Sequence, residues 1–337
     1  MAVTLKLEDE AATYRGELVG YCYRFFGSYA EAEDAVQETM LRAWQHRDEF
    51  AGRASLRTWL YRIATNICLD MRRAPQRRSL PVDLTAPGRA PDDPTTLTTR
   101  PEATWVGPIA DARLAGTRDP ADTATLRESV RLAFVTALQV LPPRQRVTLI
   151  LRDVLSWSAR ECADLLGITV AAVNSALARA RTALAEHNAG ARAPASTFAT
   201  VEDDRLLSSY VVAFEAYDVD RLVQLLAEDA AFSMPPYELW LKGVAQIERW
   251  WRGPGQVCRN SRMITTRANG QPAVAVYHAV GNGRWEPFAL HVLDSEPIDG
   301  QHRITAITHF MGPAVFAEFE LPDQVTDQFS GSASSTR

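Results

Sequence analysis

Seven of the chain's 19 prolines lie between Ser79 and Thr125, and this stretch limits the possible fold more than any other feature. Proline cannot donate a backbone hydrogen bond, and it breaks helices and central strands. Because the stretch shows no sustained helical or strand period, residues 79–125 are predicted to be a linker between separately folded parts. A second, shorter linker is predicted at residues 189–200.

The segments outside these linkers differ in type. Residues 1–78 and 126–188 contain amphipathic helical patterns. Residues 201–327 instead combine two predicted helices, 201–217 and 218–227, with strand patterns at 273–280, 288–293 and 303–310. Residues 328–337 are rich in Ser and Gly and are predicted to be a flexible tail. We therefore expect a multidomain protein with two all-α modules and a C-terminal α+β domain.

Charge is distributed unevenly along the chain. The net charge is −5, but residues 126–192 carry nine basic and five acidic groups, whereas residues 200–337 carry 11 and 18. The negative net charge argues against a protein that binds nucleic acid over its whole surface. The basic segment, residues 126–192, is the candidate for DNA binding.

Several classes of protein are excluded by composition. The first ten residues lack the apolar core of a signal peptide, and no apolar run reaches the roughly 18 residues that span a bilayer. The four cysteines lie far apart and form no C-x-x-C pair. We expect a cytoplasmic protein without membrane contact, bound metal or cofactor.

A helix-turn-helix is predicted in the basic segment. Ser158 and Glu161 form a capping box, Gly167 is suited to a left-handed helix end, and Thr169 can cap the next helix. A solvated pair of surface helices is the alternative, but the basic charge favours DNA binding. The second helix would present these short polar and basic side chains to a duplex: Thr169, Asn174, Ser175, Ala178, Arg179 and Arg181.

The helix predicted at residues 56–73 has aromatic and basic groups on its outer face. Tyr61, Arg62, Asn66 and Arg73 could hold single-stranded bases by stacking and charge. On these residues alone, the simpler interpretation is an ordinary solvated amphipathic face, with Trp59 and Tyr61 partly in the core.

Two blocks in the first module resemble region 2 of extracytoplasmic-function sigma factors, the group 4 members of the sigma-70 family. They are EAEDAVQE at residues 31–38 and LRTWLYRIATN at residues 56–66. The segment from LPPRQR at 141–146 to ARAR at 178–181 resembles region 4 of the same family. The C-terminal segment, with Met-Pro-Pro before Trp240, is similar to a SnoaL-like domain. The whole chain therefore resembles sigma factors with a fused SnoaL-like extension.

The resemblance implies a role for each module. It implies a transcription initiation factor that binds core RNA polymerase through the β′ and β subunits and recognises −10 and −35 promoter DNA. Asp34, Gln37 and Glu38 match the surface for the β′ coiled coil. The loop from Phe50 to Ser55 matches the family's pocket for a flipped −10 base.

Further positions match the family's DNA surfaces. The single-strand surface corresponds to Tyr61, Arg62, Asn66 and Asp70, with Arg73 beyond them, and the second helix of the turn motif would read the −35 duplex. Asn174 and Ala176 stand where many members carry Lys or Arg, which implies weaker phosphate binding.

The SnoaL-like resemblance implies a cone-shaped α+β fold with a cavity. The residues expected near that cavity are Tyr237, Trp240, Tyr277, His291 and His309. No Asp/Tyr set with a fixed geometry is visible, so we expect a docking or ligand-sensing module rather than an enzyme. Its acidic charge discourages DNA contact and favours packing against the sigma domains or the linker.

Two other functions stay open on the sequence. A ligand-responsive helix-turn-helix regulator would bind its operator without polymerase. A cyclase or isomerase with a DNA-binding appendage would need a catalytic carboxylate in a closed pocket.

Overall fold

The computed structural model describes residues 9–50, 55–71, 77–114, 128–188 and 201–326. These residues form two compact units. The first contains the described residues up to Ser79 and from Val106 to Asn188. The second contains Leu80–Trp105 together with the residues from Val201 onward. Part of the stretch that the sequence predicts as linker is therefore built into the second unit.

The first unit begins with three helices, which we call the first helical group: α1 Arg15–Phe26, α2 Tyr29–Gln45 and α3 Leu56–Met71. The hydroxyl of Ser28 accepts from the Glu31 amide at 3.4 Å and so caps α2. Tyr21 on α1 and Thr65 on α3 are hydrogen-bonded in the buried seam between these helices at 2.8 Å. Polar groups in that seam are thereby satisfied.

The second helical group follows residue 128: α4 Leu132–Gln139, α5 Pro143–Leu149, α6 Ala159–Leu166 and α7 Val170–Asn188. The predicted capping box at Ser158 and Glu161 is present, with bonds of 2.8 and 3.1 Å. Gly167 ends α6 with φ 64°, and the hydroxyl of Thr169 accepts from the Ala172 amide at 3.1 Å. The predicted helix-turn-helix is confirmed.

The two helical groups pack on each other through buried polar contacts. Arg24 of α1 donates to the Ser129 hydroxyl at 2.9 Å. Arg146 of α5 donates to the carbonyl of Phe25 at 2.5 Å and to the side chain of Gln139 at 2.8 Å. Both guanidinium groups are almost fully buried, and burial lowers the pKa of Arg24 to about 10. Buried cations are tolerated only where such bonds satisfy them, so this packing is geometrically specific.

The second unit contains a seven-stranded sheet. The strands are β1 Leu226–Ser233, β2 Trp240–Lys242, β3 Arg262–Ala268, β4 Gln271–Gly281, β5 Arg284–Ile298, β6 Gln301–Met311 and β7 Val325–Thr326. Their order in the sheet is β2-β1-β6-β5-β4-β3, and β7 pairs with β5. β1 and β6 are parallel and the other pairs are antiparallel.

Helices pack with this sheet around one apolar core. They are α8 Val201–Glu215, α9 Val219–Gln224, α10 Val244–Arg252 and α11 Ala314–Glu318. Tyr210, Phe214, Phe232 and Trp251 are almost completely buried in the core. The predicted strands at 273–280, 288–293 and 303–310 lie inside β4, β5 and β6, and the α+β class is confirmed.

The segment Leu80–Trp105 adds irregular backbone to the second unit. The Gly88 amide donates to the carbonyl of Trp240 at 2.8 Å, and the Arg100 amide donates to the carbonyl of Pro236 at 3.0 Å. The Trp240 indole N–H donates to the Thr85 carbonyl at 2.8 Å. Backbone groups of a proline-rich stretch are thus satisfied by a folded domain instead of by water.

No single helix in the described ranges is long and apolar enough to cross a membrane. The bent pair α6–α7 passes that test by length and composition alone.

Candidate nucleic-acid interface

The outward face of α7 presents the predicted duplex-reading side chains. Asn174, Ser175, Ala178 and Arg179 are all exposed, while Val173 and Leu177 are buried beneath them. These exposed positions fall on one side because three- and four-residue steps return to the same helix face. A carboxamide flanked by small side chains and followed by a guanidinium is suited to a base edge with a neighbouring phosphate.

Arg181 lies on the same helix but is already engaged. Its Nε and Nη2 donate to both carboxylate oxygens of Asp153 at 2.9 and 2.7 Å. This pair raises the pKa of Arg181, chiefly through the hydrogen bond with Asp153. The side chains of Arg181 and Asp153 remain 61% and 31% exposed. Because water screens the two charges, breaking this ion pair costs little free energy.

The structure separates the residues predicted for single-stranded DNA. Asn66 and Asp70 are exposed on α3, and Arg62 is exposed while donating to the Asp164 carbonyl at 3.3 Å. Tyr61, predicted on the outer face, is completely buried, and burial raises its pKa. Its ring centroid lies 5.2 Å from that of Trp157.

The predicted flipped-base loop is described only at its ends. Phe50 is half-buried, with its ring 5.1 Å from Trp59, and Ser55 is exposed at the start of α3. Residues 51–54 and Arg73 lie outside the described residues.

The predicted polymerase surface lies on α2. Asp34 and Gln37 are exposed and Glu38 is half-buried, accepting from Arg42 at 2.7 Å. Leu41 and Trp44 continue the same face and are 48% and 51% exposed. The helical spacing of the apolar residues from Ala32 to Trp44 predicts one buried stripe that includes Trp44. The exposed apolar part of the α2 face is therefore a feature that sequence reasoning missed.

The five residues expected around a cavity in the SnoaL-like segment do not share one site. Tyr237 and Trp240 lie where the chain meets segment 80–105, through the Thr99–Tyr237 bridge and the Trp240–Thr85 bond. The hydroxyl of Tyr277 donates instead to the carbonyl of Pro322 at 3.0 Å.

His291 and His309 are adjacent partners on β5 and β6 and form a buried stack. Their ring centroids are 3.4 Å apart with planes 8° from parallel, and His291 Nδ1 is hydrogen-bonded to the Tyr210 hydroxyl at 3.0 Å. Burial lowers the pKa of His309 to about 3 and that of His291 well below its ordinary range. Phe232 packs 4.6 Å from His309, so side chains fill this part of the interior.

Among the described residues, no group of three or more His, Cys, Asp or Glu side chains is placed to hold a metal ion. The four cysteines are buried free thiols. Cys22 and Cys68 are in contact, with their sulfurs 3.7 Å apart.

Three family models match separate parts of the chain. Residues 11–78 match Sigma-70 region 2, residues 131–184 match Sigma-70, region 4, and residues 207–311 match a SnoaL-like domain. The first helical group thus corresponds to region 2, and the second to region 4.

Whole-chain comparisons agree with these models. The chain is 46% identical over 318 residues to the ECF RNA polymerase sigma factor SigG of Mycobacterium tuberculosis, covering 93% of this chain and 83% of that protein. It is 31% identical over 229 residues to SigJ of the same organism, covering 67% and 64%. The crystal structure of SigJ has the same fold, with a TM-score of 0.59 at 23% identity over 93% of this chain and 99% of that one.

Sigma factors bind core RNA polymerase and promoter DNA, and the exposed faces of α2 and α7 are available for such partners. Given the three domain matches and the identity to SigG along almost the entire sequence, the chain belongs to the extracytoplasmic-function sigma factors of RNA polymerase, with a fused C-terminal SnoaL-like domain.

Proposed function

We propose that the α2 face binds the β′ subunit of core polymerase, that α7 reads the −35 duplex and that α3 holds −10 single-stranded DNA. The observation that carries the first assignment is the continuous exposed face of α2, where Asp34 and Gln37 adjoin Leu41 and Trp44. Two large exposed apolar side chains beside polar groups are typical of a protein interface.

Charge reversal tests the polymerase surface. The double variant Asp34→Lys and Glu38→Lys should weaken core binding by about tenfold, equivalent to about 1.4 kcal/mol, in a pull-down titration with purified core enzyme. The matched control Glu202→Lys and Glu228→Lys makes the same charge change on exposed sites of the SnoaL-like domain and should bind as the parent does. Equal affinities of the two double variants would refute this assignment.

Asn174 is proposed to select bases at the −35 element. A bidentate amide contact with adenine contributes about 1–3 kcal/mol of discrimination, so Asn174→Ala should flatten base preference across a promoter-variant panel. Arg179→Ala should instead reduce binding to every sequence and lower its salt dependence. An unchanged preference of the Asn174 variant would exclude base reading by this residue.

The SnoaL-like domain is proposed to modulate transcription and not to catalyse a reaction. Its interior at His291 and His309 is occupied by stacked rings and by Phe232. Segment 80–105 joins region 2 to region 4 along the chain and is hydrogen-bonded to this domain at Trp240 and Pro236. This docking supports an influence of the domain on the connection between the two DNA-binding regions. Turnover of a small substrate that is lost in His291→Phe would favour the enzyme alternative.

A further inference from the structure

The loop before α6 places Trp157 of region 4 over the start of α3 in region 2. The Trp157 ring lies 5.2 Å from the Tyr61 ring and 5.8 Å from the guanidinium carbon of Arg57. Both Tyr61 and Trp157 are almost completely buried. Part of the predicted single-strand surface is therefore covered by region 4.

Further contacts hold region 4 in this position. Arg62, beside Tyr61, donates to the Asp164 carbonyl at 3.3 Å. At the end of α1, Arg146 and Gln139 of region 4 donate to the carbonyl of Phe25. Two separate groups of contacts therefore hold the regions together, and one of them uses a buried guanidinium.

The outward face of α7 is not covered by region 2. Asn174, Ser175, Ala178 and Arg179 are exposed while Tyr61 is buried. One arrangement of the regions thus leaves the duplex-reading face accessible and encloses part of the single-strand face.

Promoter geometry requires these regions to separate. Elements centred about 25 base pairs apart lie about 85 Å apart along B-form DNA, since one turn of about 10.5 base pairs rises about 36 Å. While Tyr61 of region 2 and Trp157 of region 4 are in contact at 5.2 Å, the two regions cannot bind both promoter elements at once.

We propose that region 4 covers the −10 surface of region 2 in the free protein through Trp157, so that duplex binding by α7 precedes uptake of single-stranded DNA by α3. This inference rests on the proposed DNA-binding roles. Release requires Trp157 to leave Tyr61 and Arg57, and a ligand or partner favours release only to the extent that it binds the separated form more tightly.

A reducible cross-link tests the contact. Arg57→Cys and Glu161→Cys place one thiol in each region, at side chains that interact electrostatically, and leave Trp157 in place. A disulfide-containing bismaleimide can join the two thiols, while the four native cysteines are buried. The full-length protein should cross-link within one chain, as shown by peptide mass spectrometry. Failure to cross-link while the four native thiols stay unlabelled would overturn the covered arrangement.

The locked and reduced forms are then compared. Both should bind a labelled random-sequence 20-base-pair duplex equally well. Only the reduced form should bind the single-stranded version and support transcription from genomic fragments with core polymerase. Equal single-strand binding by locked and reduced protein would overturn the inference.

A second variant avoids the cysteines. Trp157→Ala should raise single-strand affinity by up to about tenfold if the covered form outnumbers the open form by about ten to one. Its duplex affinity should stay unchanged, which shows that region 4 is folded. Trp285→Ala, the same substitution in the SnoaL-like domain, is the control. Unaltered single-strand affinity in a folded Trp157 variant would contradict the proposal, whereas loss of core binding by the α2 variants bears only on the polymerase assignment.

Discussion

Arg181 shows how a neighbour changes what a side chain can do. The sequence predicts it as a phosphate contact, and the structure holds it against Asp153 through two hydrogen bonds. Phosphate and Asp153 compete for one guanidinium, because its planar donor fork matches either group. If Arg181 contacts phosphate as the sequence predicts, the carboxylate reduces its net effect on DNA affinity.

Removing that carboxylate should strengthen DNA binding. Asp153→Ala is expected to raise affinity for duplexes of any sequence and to steepen the salt dependence by about one counter-ion, since one more phosphate is neutralised. Fluorescence anisotropy at several salt concentrations measures both effects. Asp164→Ala removes an equal charge from exposed α6 and serves as the control. A variant at Asp153 that matches this control would show that Arg181 does not reach phosphate.

Two aromatic residues show the limits of helical periodicity. The spacing places Trp44 inward, and the structure exposes it. Tyr61 lies on the outer side of the predicted seam, with only partial burial expected, and the structure buries it completely. Periodicity fixes only the direction of a side chain around its own helix. Tyr61 is buried between Tyr21 and Trp157, whose rings each lie 5.2 Å from its own, and no local pattern encodes a contact with a residue 96 positions later.

Local signals predict helix ends well, as the caps at Ser158, Gly167 and Thr169 show. Their hydrogen bonds connect residues only a few positions apart, so the sequence contains both partners. Strand β1 was missed for the opposite reason. Leu226–Ser233 begins where a helix was expected to continue, and its identity depends on pairing with β6, some 80 residues later.

Segment 80–105 is an element whose order depends on the domain that it contacts. Trp240→Phe keeps the aromatic ring and removes the indole donor to Thr85. We expect faster tryptic cleavage after Arg89, because loss of one hydrogen bond costs about 0.5–1.5 kcal/mol. Trp285→Phe removes an equivalent bond, to Asn260, and is the control. Cleavage rates that match in the two variants would argue against docking through Trp240.

The paired strands β5 and β6 carry a pH-dependent contribution to stability. In the folded protein His291 and His309 have pKa values well below the ordinary value of about 6.5, so the unfolded chain binds more protons below that pH. Stability is complete above about pH 6.5 and is lost as the pH falls toward the folded pKa, by about 1.4 kcal/mol per pH unit for each histidine.

Urea unfolding between pH 7 and pH 5 checks this contribution. His309→Phe should lose about a third of the pH dependence, since His291 remains and so does His278, whose pKa burial lowers to about 4. His46→Asn, at an exposed position in region 2, should retain it. A pH slope that His309→Phe leaves unchanged would exclude the buried pair as its source.

At the scale of the whole molecule, the domains differ in the sign of their net charge. The SnoaL-like segment from residue 200 onward carries 18 acidic and 11 basic groups, whereas residues 126–192 carry five and nine. A tethered acidic domain lowers the concentration of DNA phosphate near a basic domain, and it does so without any direct contact. The effect acts within about one Debye length, which is about 10 Å at 0.1 M salt.

Partial neutralisation of the acidic domain should therefore increase DNA affinity at low salt. Four exposed carboxylates are suitable for replacement by amides in one variant: Glu202→Gln, Glu228→Gln, Glu286→Gln and Asp299→Asn. This variant should bind a random-sequence duplex more tightly than the parent at about 50 mM salt, where charges act over the longest range, and equally at about 300 mM. Base preference should be the same for both proteins, because α7 is unaltered. Equal affinity at low salt would show that the acidic domain does not restrain DNA binding through its charge, and a difference that persists at high salt would point to a contact that does not depend on screening.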